Sequence, residues 1–272
     1  MSNLSLRNIK ILTLFDLKNN KKFIMGWSIA LFGIMFLYMI LFPSIKDMAE
    51  VKINSMPKEL LQFVGMEGFS DLNNFISYFG MIYNIFLVVI SIFAAIFSAN
   101  LIYKEEKTKS IEFLYSRSVS RGEIYLSKLI TSFIGVMLVV MSACISSMIC
   151  GFISGGETFI LIDFIQIAKI SSFTAFFFIS TSIFVVGVTT KLNGASVGSM
   201  VVLGSYLFGY LGKLLEDKAE WLLYLSPFEL FSPTKALDLN NELIINMSVY
   251  ILIMIILIAT GYRCYIKRDY NI

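Results

Sequence analysis

Residues 72–103, LNNFISYFGMIYNIFLVVISIFAAIFSANLIY, contain no charged side chain over thirty-two consecutive positions. A helix that crosses the ~30 Å hydrocarbon core of a bilayer needs about 20 apolar residues, because each residue adds about 1.5 Å. Every backbone polar group in that core must be bonded within the protein, so only helices and closed barrels span it. The run is long and lacks in–out alternation, and it therefore predicts a transmembrane helix.

The remainder of the 272-residue chain contains five further uncharged runs of that length. They are residues 23–45, 129–156, 170–190, 192–212 and 243–262. The composition agrees, since only 15% of the residues are charged, against about a quarter in soluble domains. We predict an all-α polytopic membrane protein with six transmembrane helices, forming one domain over residues 1–272.

The distribution of lysine and arginine predicts the orientation. With the N-terminus inside, the inner segments carry 15 of these residues and the outer segments carry 7, and the side richer in Lys and Arg is normally cytoplasmic. Both termini are therefore expected in the cytoplasm. Residues 1–22 are expected to form an N-terminal interfacial helix, and residues 213–242 an extracellular loop before the last helix.

The most hydrophilic segment is residues 103–128, YKEEKTKSIEFLYSRSVSRGEIYLSK, with ten charges of both signs. Ser120 and Glu123 have the spacing of a capping box, which predicts the start of a helix that continues into the third span. Ile111 and Leu114 would give the preceding segment an apolar edge. Two interpretations remain open: a solvated connection between spans, or a docking surface for another protein.

Two motifs resemble those of ABC-2 type transporter permeases, and the resemblance extends over essentially the whole chain. The first consists of Glu105, Glu106, Lys107, Ile111, Glu112, Leu114, Ser116, Val119, Ser120, Arg121, Glu123, Ile124 and Lys128. The second is YLSPFELFSP at 224–233, which is similar to a Leu-Ser-Pro-Phe element that the family often has before its last span. The chain departs from the family pattern at Lys109-Ser110, where Gly-Thr is frequent.

The resemblance implies that residues 104–120 form a cytoplasmic coupling loop that sits in a cleft of a separate ABC ATPase subunit. The expected contact residues are Glu105, Glu106, Lys107, Ile111, Glu112, Leu114, Arg121 and Glu123. It also implies a second permease chain, either a homodimer partner or a related paralogue, and a location in the bacterial cell membrane. ATP and Mg²⁺ would be bound by the ATPase subunit, with no cofactor in this chain.

Enzymatic chemistry finds no support in the sequence. The chain has no histidine. This excludes histidine-based acid–base catalysis, Ser-His-Asp triads and HExxH zinc sites. It also has no GxxxxGK[ST] phosphate-binding loop, so it is not expected to hydrolyse ATP itself. No metal site and no nucleic-acid partner are expected.

Uncharged polar residues within the spans are candidates for a translocation path, although hydrogen bonding between helices would explain each of them equally well. They are Asn84, Asn100, Ser196, Ser199, Ser205 and Tyr206. Gly194-x-x-x-Gly198 permits close helix packing, within one chain or between two. Lys169 lies near the outer end of the fourth span, where its long side chain can reach the interface.

The leading hypothesis is therefore the membrane subunit of an ATP-driven ABC-2 type exporter. Its cargo would be hydrophobic or amphipathic, such as a membrane-active peptide or a drug. The permease chain itself would be embedded in the lipid bilayer. The alternative is a six-helix channel or membrane scaffold whose charged loop binds a cytosolic protein. An adjacent gene for an ABC ATPase would favour the exporter.

Overall fold

The computed structural model describes residues 5–46, 73–107, 119–188, 194–215 and 218–267. These residues form an all-α protein, and no strand occurs among them. The six long helices are α1 (Leu6–Ile40), α2 (Phe75–Lys107), α3 (Arg121–Ser154), α4 (Leu161–Val188), α5 (Gly194–Leu214) and α6 (Asn241–Lys267). All six contain a stretch long and apolar enough to cross a membrane, which confirms the predicted fold class.

Helix α1 differs from the prediction of a separate helix before the first span. It runs without a break over 35 residues from Leu6 to Ile40, which corresponds to about 52 Å. Ile9, Thr13 and Asp16 are buried and lie on one face. Ile11 and Phe15 lie on another face and are more than half exposed. The first part of α1 is therefore the continuation of the spanning helix.

Helices pair with partners that lie two positions away along the chain. α1 packs mainly on α3, α2 on α4, and α4 also on α6, while α5 packs beside α2. Ser146 of α3 donates a hydrogen bond to the carbonyl of Phe32 in α1 at 2.8 Å, and the Cys150 thiol faces the carbonyl of Phe36 at 3.7 Å. α2 and α4 are the most buried helices, whereas fewer than a third of the residues in the apolar stretches of α1, α5 and α6 are buried.

Aromatic and hydroxyl side chains hold α2 against α4. The rings of Phe79 and Phe164 lie 4.4 Å apart between centroids, and the Tyr83 hydroxyl hydrogen-bonds the Ser172 hydroxyl at 2.6 Å. Tyr83 is fully buried. Because lipid is as apolar as these side chains, close packing and hydrogen bonds rather than the hydrophobic effect hold such helices together.

Helices α4 and α6 lie close together at two glycines. A Cβ atom on Gly187 would lie 2.9 Å from the carbonyl oxygen of Gly261, and one on Gly261 would lie 3.1 Å from the Cα of Phe184. Both positions therefore bring backbone against backbone, an approach that only glycine allows.

Residues 218–240 belong to the segment 213–242, which the sequence predicts to be an extracellular loop, and their middle part is packed against α4. They contain the short helices Glu220–Leu225, Pro227–Leu230 and Pro233–Leu237. Phe228 stacks on Phe178 at 5.4 Å, and Phe231 meets Phe173 edge-to-face at 5.1 Å. Since Phe173 and Phe178 lie near the middle of α4, this segment folds back into the bundle.

Candidate functional site

The predicted ATPase-contact residues fall into three groups. Glu105, Glu106 and Lys107 are the last residues of α2. Residues 108–118, which include Ile111, Glu112 and Leu114, lie outside the described residues. Arg121 and Glu123 belong to the first turn of α3. The described part of the charged segment is thus the end of one helix and the start of the next.

The capping box at the start of α3 is confirmed. The Ser120 hydroxyl accepts a hydrogen bond from the Glu123 backbone N–H at 3.3 Å. The Glu123 carboxylate in turn accepts one from the Ser120 backbone N–H at 2.7 Å. Two backbone donors that the helix end leaves unpaired are satisfied in this way, so the first turn of α3 is fixed in position.

Glu123 also binds the start of α1. Its second carboxylate oxygen accepts hydrogen bonds from the Ser5 backbone N–H at 2.7 Å and from the Asn8 side chain at 3.3 Å. Only 2% of Glu123 is exposed. Bonds to the ionised carboxylate are charge-assisted and stronger than neutral ones. The described contacts of Glu123 therefore join two helices of its own chain.

Arg121 and Tyr125 connect the same turn to the end of α6. The Arg121 guanidinium donates to the carbonyl of Ile266 at 3.1 Å, and the Tyr125 hydroxyl donates to the carbonyl of Ile258 at 3.2 Å. We call residues 120–125 the foot of α3. The foot therefore contacts the beginning of α1 and the last part of α6, at the end of the bundle where α1 begins and α6 ends.

One turn further along α3, a buried ion pair links α3 to α1. The Lys128 ammonium lies 2.8 Å from a carboxylate oxygen of Asp16, and the two side chains are 4% and 6% exposed. The sequence places both residues in polar flanking segments and gives no pairing between them. A spacing signal existed, because Ile124, Lys128 and Thr131 recur at helical intervals on the buried face.

The six candidate path residues lie at two levels of the bundle. Asn100, Ser196 and Ser199 are near the terminus-bearing ends of α2 and α5, while Asn84, Ser205 and Tyr206 lie further along these helices. Ser199 donates to the carbonyl of Ala195 and Ser205 to that of Leu225. The Tyr206 ring meets Phe228 edge-to-face at 5.7 Å.

Asn84 differs from the others in having an unused polar atom. It is 7% exposed, and its side-chain oxygen finds no hydrogen-bond partner among the residues that the structure describes. A buried polar atom without a partner is costly in an apolar medium. Of the six, Asn84 is therefore the one with hydrogen-bonding capacity to spare inside the bundle.

Gly198 packs inside the chain, and Gly194 is the first residue of α5. A Cβ atom on Gly198 would lie 2.5 Å from the Ser182 hydroxyl and 3.1 Å from the Cβ of Ala95. The described contacts of Gly198 thus bring α5 against α4 and α2.

We expect Gly198→Leu to destabilise the individual chain. The added side chain overfills the space between three helices, which costs about 1–3 kcal/mol in packed cores. Unfolding of the detergent-solubilised protein by increasing SDS measures this loss, and light scattering measures the oligomeric state. A changed oligomeric state with unchanged unfolding would contradict packing within the chain.

An open apolar groove lies between α3 and α4 on the outer surface of the bundle. Its volume is about 450 Å³, within the ~300–1,000 Å³ range of small-molecule sites. Its walls include Met137, Met141, Cys144 and Met148 of α3 and Phe164, Lys169, Ser172 and Phe176 of α4. A smaller groove of about 320 Å³ adjoins it and shares Met137 and Phe176.

Six membrane-length helices make this chain a multi-pass membrane protein, and no cluster of metal-binding side chains occurs among the described residues. Residues 15–265 match the sequence model of a family described as "Multidrug efflux system permease Rv1217c, C-terminal domain". The match covers most of the chain, which therefore belongs to this family of transport permeases. No curated protein matches the chain.

Proposed function

We propose that this chain is the membrane subunit of an ATP-driven exporter of the ABC-2 type in the bacterial cell membrane. Its cargo would be a hydrophobic or amphipathic molecule, such as a drug or a membrane-active peptide. The observation that carries the proposal is the match to an efflux permease family over residues 15–265. The motif over residues 105–128, which resembles the coupling loop of ABC-2 permeases, supports the ATP-driven mechanism.

Export against a gradient needs an energy source, and the sequence contains no phosphate-binding loop that could supply it. We therefore assign ATP and Mg²⁺ to a separate ABC ATPase subunit. Docking would involve the end of α2 at Glu105 and Glu106, the segment that follows it, and Arg121. Mixed charges suit a reversible contact, because charge complementarity sets orientation and association rate more than affinity.

The contacts of the foot suggest how force would be passed into the membrane. Glu123 holds the start of α1, and Arg121 holds the end of α6. A displacement of the segment between α2 and α3 would therefore act on four helices together. ATP binding would drive transport only if the ATPase binds one conformation of the permease more tightly than the other.

A second permease chain would complete the translocation path, either as an identical subunit or as a paralogue. Fewer than a third of the residues in the apolar stretches of α1, α5 and α6 are buried in the single chain, so these helices offer area for such a contact. Asn84, with its unused oxygen, is the candidate path residue that we would test first.

Reversing the charges of Glu105 and Glu106 tests the docking site. We expect the variant Glu105→Arg/Glu106→Arg to lose co-purification with the ABC ATPase subunit, because the introduced guanidinium groups would repel the basic groups of that partner that the carboxylates would attract. ATP-dependent efflux of a fluorescent lipophilic dye from cells should fall to the level of cells lacking the permease.

The matched control is Glu157→Arg/Glu220→Arg, which makes the same charge change at two exposed residues at the other end of the bundle. This variant should retain association and efflux. Undiminished association and efflux in the Glu105/Glu106 variant would show that the docking site is wrong. Association without any ATP-dependent efflux would instead favour a membrane scaffold.

A further inference from the structure

The groove between α3 and α4 has the shape of a channel for an extended chain. Together with its smaller neighbour it extends from Phe133 to Met148 along α3, about 22 Å at the helical rise. One leaflet of the hydrocarbon core is about 15 Å deep, half of ~30 Å. The groove is thus long enough for a hydrocarbon chain that spans one leaflet.

The walls suit a flexible apolar ligand. Three methionines of α3, Met137, Met141 and Met148, face two phenylalanines of α4, Phe164 and Phe176. Methionine side chains are unbranched and polarisable, so they adapt to ligands of different shape. Surfaces rich in methionine are typical of promiscuous binding, in keeping with efflux of more than one compound.

Lys169 is the one charged residue in the lining. It is exposed, and no carboxylate lies within ion-pair distance of it in the described ranges. Asp163 lies on α4 six residues earlier but does not line the groove. The Ser172 hydroxyl is engaged by Tyr83 and by the carbonyl of Ala168. The polar group available to a ligand is therefore a cation beside an apolar channel.

We propose that this groove binds an amphiphile with one long hydrocarbon chain and an anionic head group, and that Lys169 pairs with the head. The inference rests on the proposed export function, for which it names a class of cargo. The chain would lie along the methionines of α3, and a carboxylate or similar anion would accept hydrogen bonds from the ammonium group. Such a molecule would enter from the bilayer, because the groove is open along the outer surface of the bundle.

Photo-crosslinking tests this site in the permease alone, without ATP or the ATPase. The purified full-length chain, in nanodiscs of neutral phosphatidylcholine, is irradiated with a diazirine-labelled hexadecanoate or with a trimethylammonium probe of the same chain length. Mass spectrometry locates the label. We expect the carboxylate probe to label residues 133–148 and 164–176, at about a tenfold lower concentration than the cationic probe.

Variants at Lys169 separate the head-group contact from general affinity for lipid. Lys169→Gln should raise the half-saturating concentration of the carboxylate probe about tenfold and leave that of the cationic probe unchanged. Lys169→Arg should bind the carboxylate probe as the unsubstituted chain does. Lys218→Gln is the matched control, since Lys218 is an exposed lysine that does not line the groove.

The proposal is overturned if the label falls on other helices, if both head groups label equally, or if Lys169→Gln has no effect. It is also overturned if phosphatidylglycerol in the nanodisc displaces the probe as well as free hexadecanoate does, because the occupant would then be a bilayer lipid. If the groove is labelled as expected but cells show no ATP-dependent efflux, the binding site is supported and the proposed exporter function is contradicted.

Discussion

Lys128→Met is expected to lower the free energy of unfolding by about 3–5 kcal/mol, because it leaves the buried Asp16 carboxylate without its counter-charge. The two side chains are 2.8 Å apart and almost fully enclosed. One Asp16 oxygen already has no hydrogen-bond partner among the described residues, so the ammonium of Lys128 is the contact that compensates its burial. SDS-induced unfolding in mixed micelles measures the change.

Two further variants establish that the loss comes from an unpaired charge. Lys218→Met removes an exposed lysine and should change stability by less than about 0.5 kcal/mol. The double variant Asp16→Leu/Lys128→Met should recover most of the loss, because apolar replacement of a whole buried pair is often neutral. If the double variant is as unstable as Lys128→Met, the pair does not act as described.

Gly187→Leu is expected to lower the free energy of unfolding by about 3 kcal/mol, the upper part of the usual range for overpacking. Even its Cβ atom would lie 2.9 Å from the carbonyl oxygen of Gly261, and backbone atoms cannot turn away as a side chain can. The crossing of α4 and α6 would have to widen. The same unfolding experiment measures the effect.

The control for this substitution is Gly204→Leu in α5, where a Cβ atom would meet nothing within 4 Å. Leucine also favours helix over glycine by close to 1 kcal/mol, so stability should remain the same or rise. Equal losses at Gly187 and Gly204 would mean that the α4–α6 contact is not as close as the structure places it.

Local signals in the sequence predicted the six helices and the start of α3. Hydropathy over about twenty residues depends only on the segment itself, and the capping box at Ser120 and Glu123 involves neighbours three residues apart. The burial of most of residues 226–233 was not predictable in this way. It depends on Phe228 and Phe231 meeting α4, some fifty residues away along the chain.

Helix α1 shows why the usual rule of amphipathic helices fails here. In water the apolar face of a helix turns inward. That rule selects no single face here, because Ile11 and Phe15 lie on one side while Leu6, Ile9 and Leu17 lie on the other. In a membrane the apolar face is satisfied by lipid, while polar groups need partners within the protein. Thr13 and Asp16 are accordingly buried, and Ile11 and Phe15 are exposed. For the same reason, the ion pair between Lys128 and Asp16 was not predicted, because charged residues were expected outside the core.

The candidate sites were predictable only in part, because they depend on how separate helices pack together. Lys169 was assigned to the membrane interface from its position near the end of a span, and this is compatible with its exposure. That it borders a groove depends on the gap between α3 and α4, which no local pattern encodes. Asn84 was selected only as an uncharged polar residue within a span that could line a path, and its burial and its unused oxygen follow from the packing around it.

The pairing of α1 with α3 and of α2 with α4 has a consequence for synthesis. α1 and α2 leave the ribosome before their main partners α3 and α4 exist, so neither can form its main helix pair at once. α2 must therefore remain in or beside the insertion machinery, with the Tyr83 hydroxyl still lacking its partner Ser172, until α4 follows it. A chain truncated after α3 is expected to be recognised as unassembled and degraded, and pulse-chase measurement of its lifetime would show this.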